Sequence, residues 1–475
     1  MVFSSMTFLM FFLPITLLLY FLNERIRWRN GILLVASLLF YAWGEPVLIL
    51  LMLVSVGVNY VCALGIERSA SAKTMQKIWL IVGASASMIF LLYFKYGAFF
   101  VNSAADLLSL SAHVAEKKLP IGISFYTFQV LTYTVDVYRG KAKAQKNPAR
   151  LLLYVSCFPQ LIAGPIVQYA DVADMLNARS STPVGFSEGA RRFAVGLAKK
   201  VLIANICGAA VEALHPADSA VTMSVLGAWY AAGMYTLQIY FDFSAYSDMA
   251  IGLGKIFGFT YKENFNYPYI SGSVSEFWRR WHISLGSFFR DYVYIPLGGN
   301  RGTAARTVLN LMIVWSLTGM WHGASWNFIL WGAYYGLLIV AERFVIGRKR
   351  WERIPYAVRL PLVLLLTVWG WVLFYHTNLL LGIRQLSAMA GIALTEQGVT
   401  LATLSDPLAL AVVRKYSVFP LIAMTACLPI VPLFRKRFSG QWTEVVSYAA
   451  ATVLLLLSLI FLIGQSYNPF IYFRF

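Results

Sequence analysis

The sequence predicts an all-α polytopic membrane protein. Apolar runs of membrane-spanning length recur along the whole chain, and basic residues fall in short clusters between them. Only 13% of the 475 residues are charged, where an average soluble domain carries about a quarter.

The formal net charge of +18 does not point to nucleic acid. The basic residues flank apolar runs as cytoplasmic loops require, and no soluble domain is left to carry an Arg-rich face with interleaved aromatics. The four cysteines, Cys62, Cys157, Cys207 and Cys427, are far apart, form no CxxC pair and lie within or beside apolar stretches. They read as small core hydrophobes, with no disulfide framework and no metal site.

The first apolar run, 5–22, is followed by Arg25, Arg27 and Arg29, not preceded by basic residues, so a retained span is expected with its N-terminus outside. Residues 31–66 are apolar except at Gly44-Glu45-Pro46. The thirteen residues before this break make about 20 Å of helix, short of a roughly 30 Å core, so a kinked or hairpin pair is expected. The next run is 78–101. Residues 119–138 are apolar but dotted with Ser, Thr, Tyr and Gln and end after Asp136, the pattern of a span that faces protein or a polar cavity. Arg139 to Arg150 then form a basic loop. Pro159, Gly164 and Pro165 interrupt the following helix, and the run 193–214 comes after Arg191 and Arg192.

Residues 222–258 carry Asp242 and Asp248 inside an apolar helix. Six residues at 100° each turn them about 240° apart, so they do not form a catalytic carboxylate pair. Two readings of Asp242 stay open: a buried carboxylate neutralised by Arg279 or Arg280, or a part of a substrate passage. Spans are expected at 323–346, 357–377, 416–433 and 444–464, with basic loops at Arg348 to Arg353 and Arg435 to Arg437. Counting short and broken helices, ten to thirteen membrane segments result. No repeat or linker divides the chain, which reads as one domain, 1–475.

The most polar stretch is 275–326, rich in Trp, Arg and Gly, with two of the five histidines, His282 and His322. Arg301 and Arg306 precede the run 307–321, and Arg343, Arg348 and Lys349 follow 323–346. Both flanks are basic, so the chain between them enters the membrane and returns. The turn belongs at 318–323, where Gly319 and Gly323 loosen the helix. Fifteen residues rise about 22 Å, which places His322 deep, near the apex of a helical hairpin. Desolvation there favours a neutral imidazole, able to accept a proton as a general base. A neutral histidine that merely pins the hairpin tip is the competing reading. Around His282, the aromatics Phe277, Trp278 and Trp281 alternate with Arg279, Arg280 and Arg290, the pattern of an interfacial helix. Its arginines suit either an anionic donor such as a nucleotide phosphate or lipid headgroups. His113, His215 and His376 read as structural. No HExxH cluster and no GxSxG elbow is present.

The stretches YFDFSAYSDMAIGLGKIFGF, NFNYPY, SVSEFWRRWHISLGSFFRDYVYIPLGGNRG and GMWHGASWNFILWGAYYG, with the opening MVFSSMTFLMFFLPITLLLYF and the closing YNPFIYFRF, resemble the membrane-bound O-acyltransferases. The likeness covers the whole chain and is nearest to the bacterial polysaccharide branch, typified by the membrane subunit of alginate O-acetylation. The resemblance implies a ring of transmembrane and re-entrant helices around a central tunnel. It implies a catalytic His322 and a second active-site histidine, His282. It also implies an acetyl donor, acetyl-CoA, arriving from the cytoplasm, and transfer across the inner membrane to a periplasmic acetyltransferase or acetyl-carrier protein that serves the polysaccharide machinery. Charge and position add Trp278, Arg279, Arg280 and Trp281 as the donor entrance. No bound cofactor and no metal are expected. Alginate is the first expectation for the polymer, then cellulose, then other envelope glycans. A transporter of an acyl or glycan substrate and a scaffold for periplasmic partners are the readings from other functional classes.

Overall fold

The computed structural model describes every residue except 112, 116, 162, 163, 216–222, 396, 397, 439, 465–470 and 472–475. The all-α expectation holds. Apart from one two-stranded hairpin, the regular structure among the described residues is helical. Among the described residues six helices are long and apolar enough to cross a membrane, and a bent pair makes seven. The larger number expected from sequence counted short and broken helices, and those are present: Phe8–Phe21 and Leu379–Met389 are apolar but too short to count alone. The chain is a multi-pass membrane protein.

Its residues form two compact units, each discontinuous in sequence. The first comprises Met1–Leu197 and Tyr246–Glu263. It begins with α1 (Leu13–Phe21), α2 (Ile26–Ala42), α3 (Ile49–Arg68) and α4 (Lys73–Leu91). The Gly44-Glu45-Pro46 break separates α2 from α3, as expected. The polar span is α5 (Ile123–Tyr138), whose Thr127, Gln129, Thr132, Thr134 and Asp136 are all buried. Thr134 Oγ1 donates to Asn59 Oδ1 at 2.7 Å, and Asn59 Nδ2 donates to Ser87 Oγ at 2.8 Å, so side chains of α3, α4 and α5 satisfy one another. Lipid offers no such partners, which is why these groups turn inward. Next, α6 (Pro148–Ser156) starts at Pro148 with the Asn147 side chain as cap, and stops at Cys157 before a single turn, Phe158–Leu161. Part of the expected break, residues 162 and 163, lies outside the described residues. Further along the chain comes α7 (Pro183–Ala198), which ends at the boundary with the second unit. Its Arg192 holds Asp248 at 2.9 Å and also pairs with Glu263.

The second unit comprises Ala198–Ala245 and Asn264–Phe475. It contains α8 (Asn205–Leu214), α9 (Val225–Ile256, whose residues from Tyr246 onward belong to the first unit), α10 (Val274–Arg280), α11 (Ile283–Phe289), α12 (Ala304–His322), α13 (Trp326–Val340), α14 (Tyr356–Tyr375) and α15 (Leu379–Met389). A hairpin of β1 (Ile392–Thr395) and β2 (Gly398–Leu401) follows, antiparallel, with Ile392 opposite Leu401. The chain then forms α16 (Pro407–Lys415), α17 (Phe419–Ala426) and α18 (Gln441–Gly464). The run 416–433 is therefore not one span. Pro420 starts α17, Pro429 follows its end, and α16 and α17 meet at 57°.

The expected helical hairpin is α12 with α13, and its turn is residues 323–325. Thr303 caps α12 by accepting from Arg306 N at 3.2 Å. Nineteen helical residues rise about 28 Å. Gly319 does not loosen the helix, which runs on to His322. The glycines serve approach instead. A Cβ on Gly319 would stand 2.1 Å from the Phe328 carbonyl oxygen, and one on Gly332 2.2 Å from that of Trp315. Two backbones meet there with no room for a side chain, the way helices pack where lipid supplies no hydrophobic drive.

Asp242 is buried but its partner is not Arg279 or Arg280. Lys200 Nζ lies 2.6 Å from Asp242 Oδ1, with both side chains buried. The second carboxylate oxygen accepts from Ile471 N at 2.8 Å. Arg280 instead pairs with Glu276, four residues earlier on its own helix, and Arg279 is exposed. Both aspartates thus have cations of their own, as a buried carboxylate requires.

Gly332→Val should lower stability by about 1–3 kcal/mol, because the added atoms meet backbone rather than a yielding side chain. Gly233→Ala, at a helical glycine with nothing within 4 Å of an added Cβ, should lose nothing. Melting of the purified protein in detergent reads both, and equal melting temperatures for the two variants would contradict the close-packing account.

Candidate active site

The site is built from the loop before α10 and the tip of the α12–α13 hairpin. Asn264 is fully buried. Its Oδ1 accepts from Ser284 N at 3.1 Å and Ser284 Oγ at 2.9 Å, and its backbone oxygen accepts from Ile283 N at 2.9 Å. These bonds hold the α10–α11 junction, where His282 adopts φ 45° and ψ 53°. A side chain in that left-handed region is strained unless its surroundings fix it. Asn264 does so and also sets the ring. His282 Nδ1 lies 3.2 Å from Asn264 Oδ1, an atom already shown to be an acceptor by the backbone N–H that reaches it. Nδ1 therefore carries the proton, and Nε2 presents its lone pair. Nε2 is buried and has no hydrogen-bond partner in the structure. His282 lies outside the six membrane-spanning helices. Burial pushes its pKa from 6.5 down to about 3, so the ring is neutral.

His322 is the last residue of α12 and is buried, 5% exposed. Three aromatic rings meet its imidazole edge-on: Trp321 at 4.9 Å, Trp331 at 5.0 Å and Phe374 at 5.1 Å. Trp321 also stands 5.7 Å from the His282 ring and so links the two histidines. Phe243 closes on His282 from α9 at 4.6 Å. The structure thus brings both predicted histidines into one aromatic enclosure of the second unit.

Phe374 is held in turn by polar bonds that follow it. Asn327 Nδ2, on α13, donates to the His376 carbonyl at 2.6 Å. The His376 ring shares a 2.7 Å bond with Gln385 Oε1, and Gln385 Nε2 donates to Ala228 O at 3.2 Å. His215 Nε2 approaches the same Gln385 oxygen at 3.4 Å. This places His376 and His215 in the framework. His113 is exposed and pairs with Asp106.

The four residues expected at a donor entrance divide. Trp281 is buried among Tyr240, Phe265, Tyr269, Phe277 and Trp371, at 4.7 Å from the last. Arg280 is occupied, paired with Glu276 and donating to Asn266 O at 3.1 Å. Arg279 is exposed. Trp278 packs on Trp315, Trp331 and Tyr335, and its buried indole N–H has no acceptor. Sequence reasoning missed Asn264, Trp331 and Phe374. Asn264 stands in NFNYPY, a stretch noticed only for its resemblance. The two aromatics sit in apolar runs that give no sign of what they enclose.

Fold and site together define a polytopic helical membrane protein with an aromatic-walled pair of buried histidines. The profile of the membrane-bound O-acyltransferase family matches residues 82–382. The chain is similar to the probable alginate O-acetylase AlgI of Pseudomonas aeruginosa, 43% identical over 82% of this chain and 75% of that one. It is 39% identical to the protein of that name from Pseudomonas putida, over 100% of both. It is 31% identical to the peptidoglycan O-acetyltransferase of Helicobacter pylori, over 100% of this chain and 98% of the other. The chain belongs to the membrane-bound O-acyltransferase family and is an O-acyltransferase.

The neutral His282 has a pH signature. Between pH 6.5 and about 3 the unfolded chain takes up a proton there that the folded one refuses. The stability present above pH 6.5 is therefore lost progressively as pH falls through that window. His282→Gln removes the titrating group and should flatten this acid limb. Melting temperatures of both proteins between pH 4.5 and 7.5 check it, and identical pH slopes would count against a buried neutral ring.

Proposed function

We propose that this O-acyltransferase passes acetyl groups from acetyl-CoA in the cytoplasm across the bacterial inner membrane, for O-acetylation of an exopolysaccharide, with alginate the first candidate. A periplasmic acetyltransferase or acetyl-carrier protein receives the group on the far side. What supports the polymer class is the similarity, along the whole chain, to relatives named alginate O-acetylase. The Helicobacter pylori relative keeps peptidoglycan as a second acceptor, and cellulose is a third. The basic flanks of the hairpin, Arg301 and Arg306 before it and Arg343, Arg348 and Lys349 after it, support a cytoplasmic base and an apex directed outward.

The observation that carries the chemistry is His322 at the tip of α12, buried and walled by three edge-on rings. In this reading the acceptor hydroxyl attacks the thioester carbonyl carbon while His322 takes its proton. The C–S bond then breaks, and His322 returns the proton to the leaving thiolate, so the imidazole ends as it began. His282 orients the donor. Its Nε2 lone pair accepts a hydrogen bond, and an amide N–H of the donor's arm is a group that can give one. The Trp278 N–H meets a carbonyl of the same arm, and the exposed Arg279 meets its phosphates. Arg280 and Trp281, engaged with the protein, hold the entrance in shape.

His322→Ala should leave the protein folded in the membrane and lower polymer acetylation by about 10²- to 10⁴-fold, the usual contribution of a general base. The acetyl content of the secreted polymer, with the amount of membrane protein as control, measures it. Full acetylation in the variant would refute the base assignment.

A further inference from the structure

The enclosure around His322 contains a hydrogen-bond donor with nothing to donate to. Trp331 is completely buried, 0% exposed, and its indole Nε1 has no acceptor in the protein. Buried N–H groups are nearly always paired, since leaving one unpaired forfeits the bonds it made to water. Some polar groups of the same helices are paired: Tyr334 donates to Leu366 O at 2.8 Å, and Thr367 to Val363 O at 2.7 Å. Trp331, Tyr335 and Trp371 are not, and of these three the ring that stands against His322 is that of Trp331, at 5.0 Å and 82° to it.

Packing uses the ring's carbon faces and not its nitrogen. The ring lies among Trp278, Tyr335, Trp371 and Phe374. The nitrogen adds nothing to those contacts and costs the stability of an unmet donor. Its backbone is fixed by the close approach of Gly332 to Trp315, one residue along, and the ring itself is fully enclosed.

We propose that the Trp331 indole N–H is the donor for the acyl carbonyl oxygen, one half of an oxyanion hole beside His322. This rests on the reading of His322 as the base. When the alcohol oxygen bonds to the thioester carbon and its proton passes to His322, the carbonyl oxygen becomes an alkoxide. The indole N–H donates to it while the C–S bond is still whole. As that bond breaks, the oxygen reverts to a carbonyl and the thiolate takes the proton from His322. A donor held ready in a water-poor enclosure stabilises the charged oxygen more than the neutral one, which is where rate comes from.

The test separates catalysis from packing, because only the loss of a donor lowers turnover per folded protein. Trp331→Phe keeps a ring and deletes the donor. Full-length wild type, Trp331→Phe and His322→Ala are compared for melting in detergent. Thiol release from acetyl-CoA is then followed in inside-out membrane vesicles from cells that make the polymer. Trp331→Phe also removes buried volume, so the proposal expects a modestly lower melting temperature with the protein still folded. Its turnover at saturating acetyl-CoA should fall about 100- to 1,000-fold, the usual effect of removing one oxyanion donor, with KM within a few fold. Wild-type turnover in Trp331→Phe, with His322→Ala inactive, overturns this proposal and leaves the base standing. A melt lowered by several degrees, with activity lost in proportion to folded protein, also overturns it and makes the indole a packing group. Full turnover in His322→Ala removes the base and the proposal together.

Discussion

The backbone approach of α12 and α13 is the constraint on which the rest of the second unit depends. At Gly319 and Gly332 each helix meets a carbonyl of the other at a distance that excludes even a methyl group. Two helices this close cannot slide or rotate, because any shift drives backbone into backbone. The turn that joins them is only three residues long, so the position of its first neighbour, His322, follows from the packing below it. Trp331, beside Gly332, is fixed by the same contact. An imidazole and its enclosing rings are thus set by glycines that have no chemistry of their own.

A second constraint is the demand of a nonpolar surrounding that polar groups meet one another. Asn264, Asn327 and Gln385 show how it is met in this protein. Each amide spans two or more segments, and each leaves an aromatic or imidazole ring with one allowed orientation. Asn264 fixes the tautomer of His282 as well as the strained backbone beneath it. Asn327 and Gln385 close on either side of His376 and keep Phe374 against His322. The charged pairs act differently. Lys200 with Asp242 ties Ile471 to the middle of α9, and Arg192 with Asp248 and Glu263 ties α7 to the end of the same helix. These pairs hold the frame of the unit each belongs to.

Much of this was legible in the sequence, for reasons that can be stated. The break at Gly44-Glu45-Pro46 was visible because a rigid ring and a flexible residue stand between two apolar runs, and α2 and α3 part there. The α12–α13 hairpin was visible because charge clusters mark both its feet. Its tip was placed within a few residues, but the role of Gly319 was misread. A glycine that loosens a helix and one that admits a neighbour look the same in a one-dimensional string, and only the partner backbone tells them apart. The partner of Asp242 was misassigned for a similar reason. Arg279 and Arg280 are conspicuous because they sit in a polar stretch, whereas Lys200 is one basic residue at the start of an apolar one. Long-range pairing depends on helix rotation and neighbour choice, and periodicity fixes neither. The run 416–433 read as a span because hydropathy averages over Pro420 and Pro429, which in the fold end α17 after eight residues.

What the sequence did not disclose about the site is its economy of polar atoms. Counted by residue type, Trp278, Trp331 and His282 are two bulky hydrophobes and an ordinary histidine. Placed in the fold, they present two N–H donors and one lone pair, all buried and all unmet, around a single histidine-bearing tip. Other buried polar atoms meet one another, as the Asn59, Thr134 and Ser87 chain shows. In the proposed reading, the atoms around the tip have the polarity that a thioester and its amide-bearing arm present in mirror image: carbonyl oxygens for the indoles and an amide N–H for the imidazole. Relatives named for alginate and for peptidoglycan differ in the acceptor their names print. If these atoms meet the donor, as proposed, what sets the acceptor is to be sought elsewhere on the molecule.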